Sequence, residues 1–524
     1  MIIEILIFLL TSLLGFFVYS HWNATNYFKK RGVKCLPGVP IFGNAFNSTV
    51  AKKHIVDDLN NVYKAFPGER YVGYIEGTAP IVLIRDPELI KQITVKDFDH
   101  FVDHKQFFPE DIEPLFGGSV LMMKGDRWRD MRTTLSPAFT GSKMRQMMPF
   151  MTEISNNIVE YLKENVTPND DLDVGDLVRR YTNDVIASAG FGLQINSLKD
   201  KDNEFFKLGQ EMFKFGLYER FMFFITAQFP KLTKKLNLKV FPQKTTDFFQ
   251  NIVVSTIEFR EKNGVERPDM IQLLMEASKG NLTHTNEKDN VGFATVDEAL
   301  KPQGKIRDWT LTELTGQVFI FFVAGFESAA TAIVMAIHEL AVNPDVQEKL
   351  YQEVKHFKET KGNLTYDNIV DLKYLDCVLN ETLRKWSAAL IMDRVCTKPY
   401  ELPPPREGGK PFPLKVGDIV YNMVNTIHMD PEYFPEPEKF DPDRFSDENK
   451  HNIKPFTFMP FGMGPRNCIG SRFALLELKV LLYSIVLNFK ILKGPKTSDP
   501  IKLEAADFNI RAVGGTFVRL QERK

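Results

Sequence analysis

The sequence has little cysteine and almost no net charge. Its 524 residues include four cysteines, too few for a disulfide framework, and none lies in a CxxC or Cys/His cluster of the kind that binds zinc. The formal net charge is −1 and no large basic block occurs, so nucleic-acid binding has no electrostatic basis. Repeats of solenoid length and long low-complexity segments are also missing. These absences predict a globular chain in a reducing compartment, with thiols free to bind a metal ion.

The N-terminal segment, residues 1–22, is almost wholly apolar and long enough to span a bilayer. Four basic residues follow it: Lys29, Lys30, Arg31 and Lys34. Basic residues after an apolar segment predict that the rest of the chain faces the cytosol. We interpret residues 1–22 as an uncleaved transmembrane signal-anchor and residues 23–44 as a basic, proline-rich hinge. A cleaved signal peptide is the competing interpretation, although such a peptide normally has a basic start, and Glu4 is an acid.

A second apolar run, Phe319 to Ile337, lies inside a long predicted helix. Thr310 and Glu313 form a capping box at the start of this helix, and Asn343-Pro344 ends it. A second membrane span would put Glu327 near the bilayer centre at high cost. We therefore predict a helix through the core of a soluble catalytic domain, residues 45–524.

Two other segments have recognisable patterns. Residues 278–305 are polar and rich in helix breakers, which predicts a surface loop. Residues 501–519 predict a β-hairpin that turns at Gly514-Gly515.

The stretch Phe461-Gly-Met-Gly-Pro-Arg-Asn-Cys-Ile-Gly470 holds Cys468 in a glycine-rich loop ahead of an apolar helix. Its three glycines let the backbone turn closely, and amide N–H groups in the turn can point at the sulfur. Arg466 supplies a cation for a haem propionate, and Phe461 can pack beside the sulfur and the porphyrin. The arrangement suits a thiolate bound to haem iron.

This loop is the haem-binding signature of the cytochromes P450, and the whole chain resembles the microsomal members of that family. Within them it is most similar to the insect detoxification and vertebrate drug-oxidising group. The resemblance implies a mainly α fold with small β-sheets (α+β), in which a long central helix lies over haem b (iron protoporphyrin IX). Cys468 would be the iron ligand. The resemblance also implies further haem-site residues: Trp128, Arg132 and Arg394 as propionate ligands, and Glu381, Arg384 and Arg444 as a buried triad behind the haem.

Residues 324–328, Ala-Gly-Phe-Glu-Ser, lie midway along the long helix and resemble the P450 oxygen-activation motif. Cleavage of the O–O bond consumes two protons, which a hydroxyl with its bound water and an adjacent carboxylate can relay. Glu327 and Ser328 are therefore the candidate catalytic pair. Gly325 is expected to clear space for oxygen and to let the helix open locally. Ser328 stands where threonine is usual and lacks the methyl that fixes the rotamer.

The function that the resemblance implies is an NADPH-dependent haem-thiolate monooxygenase of the unspecific type. It would insert one oxygen atom into a lipophilic small molecule, either a xenobiotic or an endogenous hormone, lipid or pheromone. Electrons would come from NADPH–cytochrome P450 reductase, with cytochrome b5 as an additional partner. The catalytic domain would face the cytosol at the endoplasmic reticulum membrane. Two alternatives remain open: a haem-thiolate isomerase that acts on peroxides, and a catalytically inactive haem-dependent binding protein.

The resemblance also predicts the surfaces that meet substrate, membrane and reductase. Residues 221–225, followed by three lysines, are expected to dip into the membrane, although ordinary core is an equal interpretation. Three basic residues are expected to meet the acidic reductase: Lys124, Arg127 and Arg129. The positions expected to face the substrate pocket are Phe107, Phe108, Phe213, Phe326, residues 389–391 and residues 512–516.

The serine at position 328 leads to a test. We expect Ser328→Thr to release less peroxide and to form more product per NADPH, because the added methyl fixes the hydroxyl. Peroxide and product are measured against NADPH consumed. Equal coupling in the variant and the wild type would contradict this expectation.

Overall fold

The structure is a computed structural model that describes residues 1–214, 216–278, 293 and 309–524. The predicted surface loop at residues 278–305 lies almost wholly outside the described residues. In the described part, the α-helices are α1 (Ile2–Lys29), α2 (Phe46–Thr49), α3 (Ile55–Lys64), α4 (Pro87–Lys91), α5 (Pro114–Gly117), α6 (Gly125–Leu135), α7 (Gly141–Asn165), α8 (Val174–Phe191), α9 (Glu204–Glu211), α10 (Leu217–Gln228), α11 (Pro230–Lys235), α12 (Gln243–Asn263), α13 (Met270–Ser278), α14 (Leu311–Val342), α15 (Pro344–Lys361), α16 (Lys373–Lys385), α17 (Val424–His428) and α18 (Ser471–Asn488).

The strands of the described part form three small sheets. The strands are β1 (Tyr71–Glu76), β2 (Ala79–Ile84), β3 (Leu172–Asp173), β4 (Met392–Val395), β5 (Tyr400–Leu402), β6 (Phe412–Leu414), β7 (Ile419–Asn422), β8 (Phe489–Leu492) and β9 (Phe517–Glu522). Their orders are β1-β2-β7-β4, β3-β9-β8 and β5-β6. In the largest sheet β2 and β7 are parallel, and β4 pairs antiparallel with β7 so that Arg394 lies opposite Val420. Helices with small sheets confirm the predicted α+β class.

The long helix α14 runs through the core, as predicted. The Thr310 side chain accepts from the Glu313 N–H and the Glu313 side chain accepts from the Thr310 N–H, which confirms the capping box. Of its most apolar 18-residue window, 72% is buried inside the protein, against 6% for α1. Because α14 packs along α8, α16 and α18, its apolar surface is satisfied by protein. Only α1 leaves a comparable apolar surface exposed in the described part.

Helix α1 does not end at Trp22, the predicted limit of the membrane anchor. It continues to Lys29, seven residues into the segment predicted to be a hinge. Its last turns dock on the domain, where the Tyr27 hydroxyl donates to Asp418 at 2.7 Å and the buried ring of Phe28 stacks on Phe412 at 6.2 Å. The anchor and the domain are therefore joined by a docked helical end, and the proline-rich segment follows this contact.

The chain reverses direction within residues 501–519, but not at Gly514-Gly515, where the sequence predicted the turn. Leu503 bridges Ala512, and the Glu504 N–H donates to the Arg511 carbonyl at 2.8 Å, so the chain reverses between these pairs. Gly514 and Gly515 have φ of 77° and 93° and lead into β9, which pairs with β8. The glycines mark a bend ahead of a strand whose partner lies about twenty-five residues away, beyond the range of local turn signals.

Candidate functional site

The loop around Cys468 has the backbone geometry that its glycines predicted. Gly462 and Gly464 have φ of 74° and 73°, and the Cys468 N–H donates to the Phe461 carbonyl at 2.8 Å. A Cβ on Gly464 would lie 1.8 Å from the carbonyl oxygen of Thr94, so the loop tolerates no side chain there. This close approach fixes the loop against the turn after α4.

The Cys468 side chain is exposed and yet experiences strong desolvation, which indicates a cavity at the sulfur. Burial raises the pKa of the Cys468 thiol, and the N–H of Gly470 and the guanidinium of Arg132 oppose that shift. The half-buried Phe461 packs against the main core cluster. The predicted N–H group at the sulfur is therefore present.

Three guanidiniums predicted to bind propionates are buried close to this loop. Arg132 donates to the side chain of Asn467 at 2.5 Å, and Arg394 donates to the carbonyls of Asp393 at 2.6 Å and Met463 at 3.2 Å. Burial lowers the pKa of both arginines to about 10. The Nε of Arg394 is buried without a hydrogen-bond partner among the described residues.

Arg466 donates to four backbone carbonyls in the segment before α6, those of Val102, Val120, Leu121 and Met123. Its guanidinium also lies 3.9 Å from the centre of the Trp128 ring. Burial and the neighbouring Arg394 lower its pKa well below the usual value. Trp128 is therefore held against Arg466 of the cysteine loop, and its expected contact with a propionate stays a prediction.

The carboxylates described around these arginines do not balance their charge. Asp103 lies 3.9 Å from Arg466, and Asp393 is shared with His104, whose Nδ1 lies 2.9 Å from it. Buried cations need partners, and the backbone carbonyls leave net positive charge in place. Carboxylates of a further group would supply the missing anionic partners. The residues present therefore fit a haem, whose propionates the arginines would hold and whose iron the Cys468 sulfur would bind.

The predicted triad of Glu381, Arg384 and Arg444 is present. Glu381 and Arg384 are fully buried and joined by two hydrogen bonds of 2.7 and 2.8 Å. Arg444 Nε lies 3.5 Å from Glu381, and the Asp441 N–H donates to the same carboxylate at 2.9 Å. Arg384 also donates to the carbonyls of His428 and Pro437. The network therefore ties α16 to the segment that precedes the cysteine loop.

The candidate catalytic pair on α14 points in two directions. Ser328 and Ala324 are exposed within an otherwise buried stretch of α14, which indicates a cavity on that face, and the Ser328 hydroxyl donates to the Ala324 carbonyl at 2.5 Å. Glu327 is buried on another face. It pairs with Arg179 at 3.3 Å and with Arg511 at 2.7 Å. Sequence reasoning missed both arginines, since Arg179 precedes Glu327 by 148 residues and Arg511 follows it by 184.

Gly325 has a packing contact that the sequence did not indicate. A Cβ there would lie 2.6 Å from Ile186 Cδ1, so the glycine lets α14 approach α8 closely. Helix α14 runs without a break from Leu311 to Val342, and the expected local opening stays a prediction. The expected clearance for oxygen stays a prediction.

The phenylalanines expected around the pocket form a connected aromatic cluster. Phe108 contacts Phe116, Phe223 and Phe241, while Phe107 stacks on Phe223 at 6.3 Å. Phe326 is fully buried against Phe213 at 5.4 Å, and the expectation that these two rings face the pocket stays a prediction.

Two of the basic residues expected to meet the reductase are already paired within the chain. Arg127 binds Glu110 at 2.6 Å and Glu313 at 2.8 Å, and Arg129 binds Asp99 at 2.6 Å. These pairs cancel much of the local positive charge. Lys124 is exposed and donates to the Gln106 side chain at 2.9 Å.

Comparison with known proteins decides the family. The family model described as cytochrome P450 matches residues 33–515. The chain belongs to the cytochrome P450 family. It is 41% identical over 523 residues to "Cytochrome P450 9e2" of Blattella germanica, covering 97% of this chain and 96% of that protein. It is 39% identical over 519 residues to "Probable cytochrome P450 9f2" of Drosophila melanogaster, covering 97% of each. It is 34% identical over 520 residues to "Cytochrome P450 6k1" of Blattella germanica, covering 98% and 97%.

Family membership confirms the expected fold, the haem cofactor and the class of enzyme, a P450 monooxygenase. It also implies a redox partner and a lipophilic substrate. The apolar helix α1 and the microsomal type of the relatives indicate that this P450 associates with a membrane.

The buried triad gives the second test. Glu381→Ala leaves Arg384 buried without its partner, a change that costs about 3–5 kcal/mol, so we expect P450 protein without haem. Haem per polypeptide is measured after purification. The control is Asp443→Ala, which breaks the half-exposed pair with Lys349 and should retain haem. Stable haem incorporation in Glu381→Ala would disprove the prediction.

Gly464 gives the third test. We expect Gly464→Ala to lower the free energy of unfolding by about 1–3 kcal/mol more than Gly408→Ala does, because a methyl group there meets the Thr94 carbonyl. Gly408 is the matched control, since its φ is 71° and its Cβ position has no atom within 4 Å. Denaturant unfolding of the two variants measures the difference. Equal losses would show that positive φ alone sets the cost.

Proposed function

We propose that this P450 is an NADPH-dependent monooxygenase of the endoplasmic reticulum membrane that oxidises lipophilic xenobiotics or endogenous hormones, lipids or pheromones. One observation supports the proposal most directly. The accessible sulfur of Cys468 lies near three buried guanidiniums that need anionic partners. We assign Cys468 as the iron ligand. The assigned propionate ligands are Trp128, Arg132, Arg394 and Arg466.

When bound, haem supplies the redox chemistry that cleaves dioxygen and transfers one oxygen atom to the substrate. The reaction takes up two electrons and two protons for each product and water formed. Ser328, exposed on the cavity face of α14, would hold the water through which the protons arrive. Glu327, one residue earlier, would relay those protons from solvent. The triad of Glu381, Arg384 and Arg444 would keep the cysteine loop in place behind the cofactor.

We infer that the substrate cavity is closed by the aromatic cluster. Phe108 and Phe116 lie in contact at 4.7 Å and extend toward α10 through Phe223, which favours flat or bulky apolar molecules. The phenylalanine count of 44 suits such a wall, although most of these rings fill the core.

We infer that α10 and α11 lie at the membrane surface, on the same side as the anchor. Phe17 of α1 contacts Phe229 at 6.0 Å, which ties the anchor to this region. Several large apolar side chains here are exposed: Tyr218, Phe221, Leu232 and Leu236. The exposed lysines 231, 234 and 235 could meet anionic headgroups. The domains would then be residues 1–22 in the bilayer, residues 23–44 as connection and residues 45–524 as the catalytic part.

We infer that NADPH–cytochrome P450 reductase is the electron donor and that cytochrome b5 is an additional partner. The sequence itself carries no flavin or nicotinamide motif, so NADPH must act through a separate protein. Lys124 remains a candidate docking residue, whereas the pairing of Arg127 and Arg129 weakens their earlier assignment.

The fourth test joins spectroscopy to turnover. The reduced, carbon-monoxide-treated holoprotein should show the red-shifted band of a thiolate ligand, and Cys468→His should lose it. Purified protein with reductase, NADPH and dioxygen should add one oxygen atom to some members of a panel of lipophilic compounds, and mass spectrometry measures the products.

An imidazole-like band in the wild type would refute the assignment of Cys468 as the iron ligand. Peroxide rearrangement without reductase, or binding without product, would instead support the isomerase or the binding protein.

A further inference from the structure

A cleft of about 750 Å³ lies outside the haem site, between α3, the end of α16, residues 425–438 and residues 501–510. None of its lining residues belongs to the cysteine loop or to the positions expected to face the substrate. Its volume is in the range of small-molecule sites in proteins. A molecule bound here would therefore occupy a second site, separate from the substrate pocket.

Hydrogen bonds between remote segments hold the walls of this cleft together. Nε2 of His54, at the start of α3, donates to the Asn509 carbonyl at 3.2 Å. The Thr426 hydroxyl donates to the side-chain oxygen of Asn60 at 2.7 Å. Both bonds tie α3 to another wall, so the cleft is formed before any ligand binds, as is usual for small-molecule sites.

The rim of the cleft carries excess positive charge. Six cations line the cleft: Lys52, Lys53, Lys64, Arg85, Lys385 and Lys502. Three carboxylates line it as well: Asp57, Asp430 and Glu438. Lys385 is paired with Glu339 at 2.9 Å, but the other four lysines are exposed and lack an ion-pair partner among the described residues. Their combined potential favours an anionic ligand.

The floor of the cleft is apolar. Val56 and Ile510 are buried there against Met335 of α14, and the ring of Trp386 is partly buried against the same cluster. A ligand that is anionic throughout would leave this floor in contact with water. An apolar group on the ligand would cover the floor and gain the free energy of removing apolar surface from water.

The wall of the cleft also presents amide groups without partners. Asn425 is 7% exposed, and its side chain has no hydrogen-bond partner among the described residues. The side-chain NH₂ of Asn60, whose oxygen accepts from Thr426, lacks an acceptor in the same part of the chain. Polar groups with so little access to water are normally paired, so these donors favour a ligand that brings acceptor oxygens.

We propose that this cleft binds a soluble organic anion, in which an apolar group of one or two rings carries a phosphate or a sulfate. The rings pack on Trp386 and Ile510, while the anionic oxygens meet the lysines of the rim and the amide of Asn425. Hydrogen bonds in which the acceptor is ionised are the stronger kind, which suits such a head group. No step of the proposed oxidation uses this site, so its failure and the failure of the proposed function are distinguishable.

The test uses 1-naphthyl phosphate as the probe. Full-length holoprotein is placed in phosphatidylcholine nanodiscs, clotrimazole fills the haem pocket, and equilibrium dialysis measures the bound probe. We expect one equivalent per haem, and we expect 1-naphthol and inorganic phosphate to bind roughly tenfold more weakly or less, because each keeps only half of the contacts. Absence of binding, or displacement of the probe by clotrimazole, would overturn the proposal.

Variants of the rim and the wall locate the bound probe. We expect Lys52→Gln/Lys53→Gln to bind it roughly three- to tenfold more weakly, because two exposed charges are lost. Asn425→Asp should weaken binding to a similar extent, since a carboxylate there repels the phosphate. The matched control is Lys199→Gln/Lys201→Gln, which removes two exposed lysines elsewhere and should bind as the wild type does. The carbon monoxide band verifies that each variant is folded, and equal affinity in all of them would refute the site.

Nanodiscs that contain phosphatidic acid distinguish a soluble ligand from a lipid head group. We expect the affinity ratio between the control variant and Lys52→Gln/Lys53→Gln to be the same in these discs as in phosphatidylcholine. A ratio that falls to one would show that lipid phosphate already occupies the lysines, and would overturn the assignment to a soluble anion.

Discussion

Uncompensated positive charge beside one sulfur is the constraint on which this structure depends. Removing a guanidinium from water costs several kcal/mol unless an anion meets it, and three of them lie close to Cys468. The chain offers mostly backbone carbonyls and two aspartates, of which Asp393 is shared with His104. The residues at this site therefore fit a haem, whose propionates would supply anionic partners. Neighbouring residues fix the elements that carry these arginines. Thr94 packs against Gly464 of the cysteine loop, and Asn467 accepts a hydrogen bond from Arg132 of α6.

Helix geometry places the two residues of the candidate catalytic pair in different surroundings. Successive residues on an α-helix point about 100° apart, so Glu327 and Ser328 cannot occupy one environment. Ser328 faces the cavity, whereas Glu327 lies among charged groups from α8 and the C-terminal segment. In the proposed mechanism, α14 separates the side on which oxygen would bind from the side that exchanges protons with solvent. Proton transfer between them must cross one peptide unit, for which a water at the serine hydroxyl is the natural bridge.

The sequence predicted those parts of the fold and site that depend on local spacing. The capping box of α14, the glycine loop at Cys468 and the i, i+3 pair of Glu381 and Arg384 all involve residues a few positions apart, and all are present. Contacts between remote segments gave no local signal. The pairing of Glu327 with Arg179 and Arg511 is one example, and the four carbonyls that accept from Arg466 are another. The misplaced hairpin turn has the same cause, because β9 takes its partner from β8 rather than from the adjacent loop.

The contact between the C-terminal end of α1 and the domain affects the route by which substrate reaches the pocket. A flexible hinge would let the domain tumble above the bilayer, but Tyr27 and Phe28 fix the last helical turns to the domain, and Phe17 ties the middle of the helix to Phe229. A rigid connection of this kind sets the height and tilt of the domain over the membrane. The proposed membrane contact would then place the exposed apolar side chains of α10 and α11 on the side of the anchor, next to the aromatic cluster. Because lipophilic molecules concentrate in the bilayer, a pocket opening on that side samples them at far higher concentration than one that opens to water.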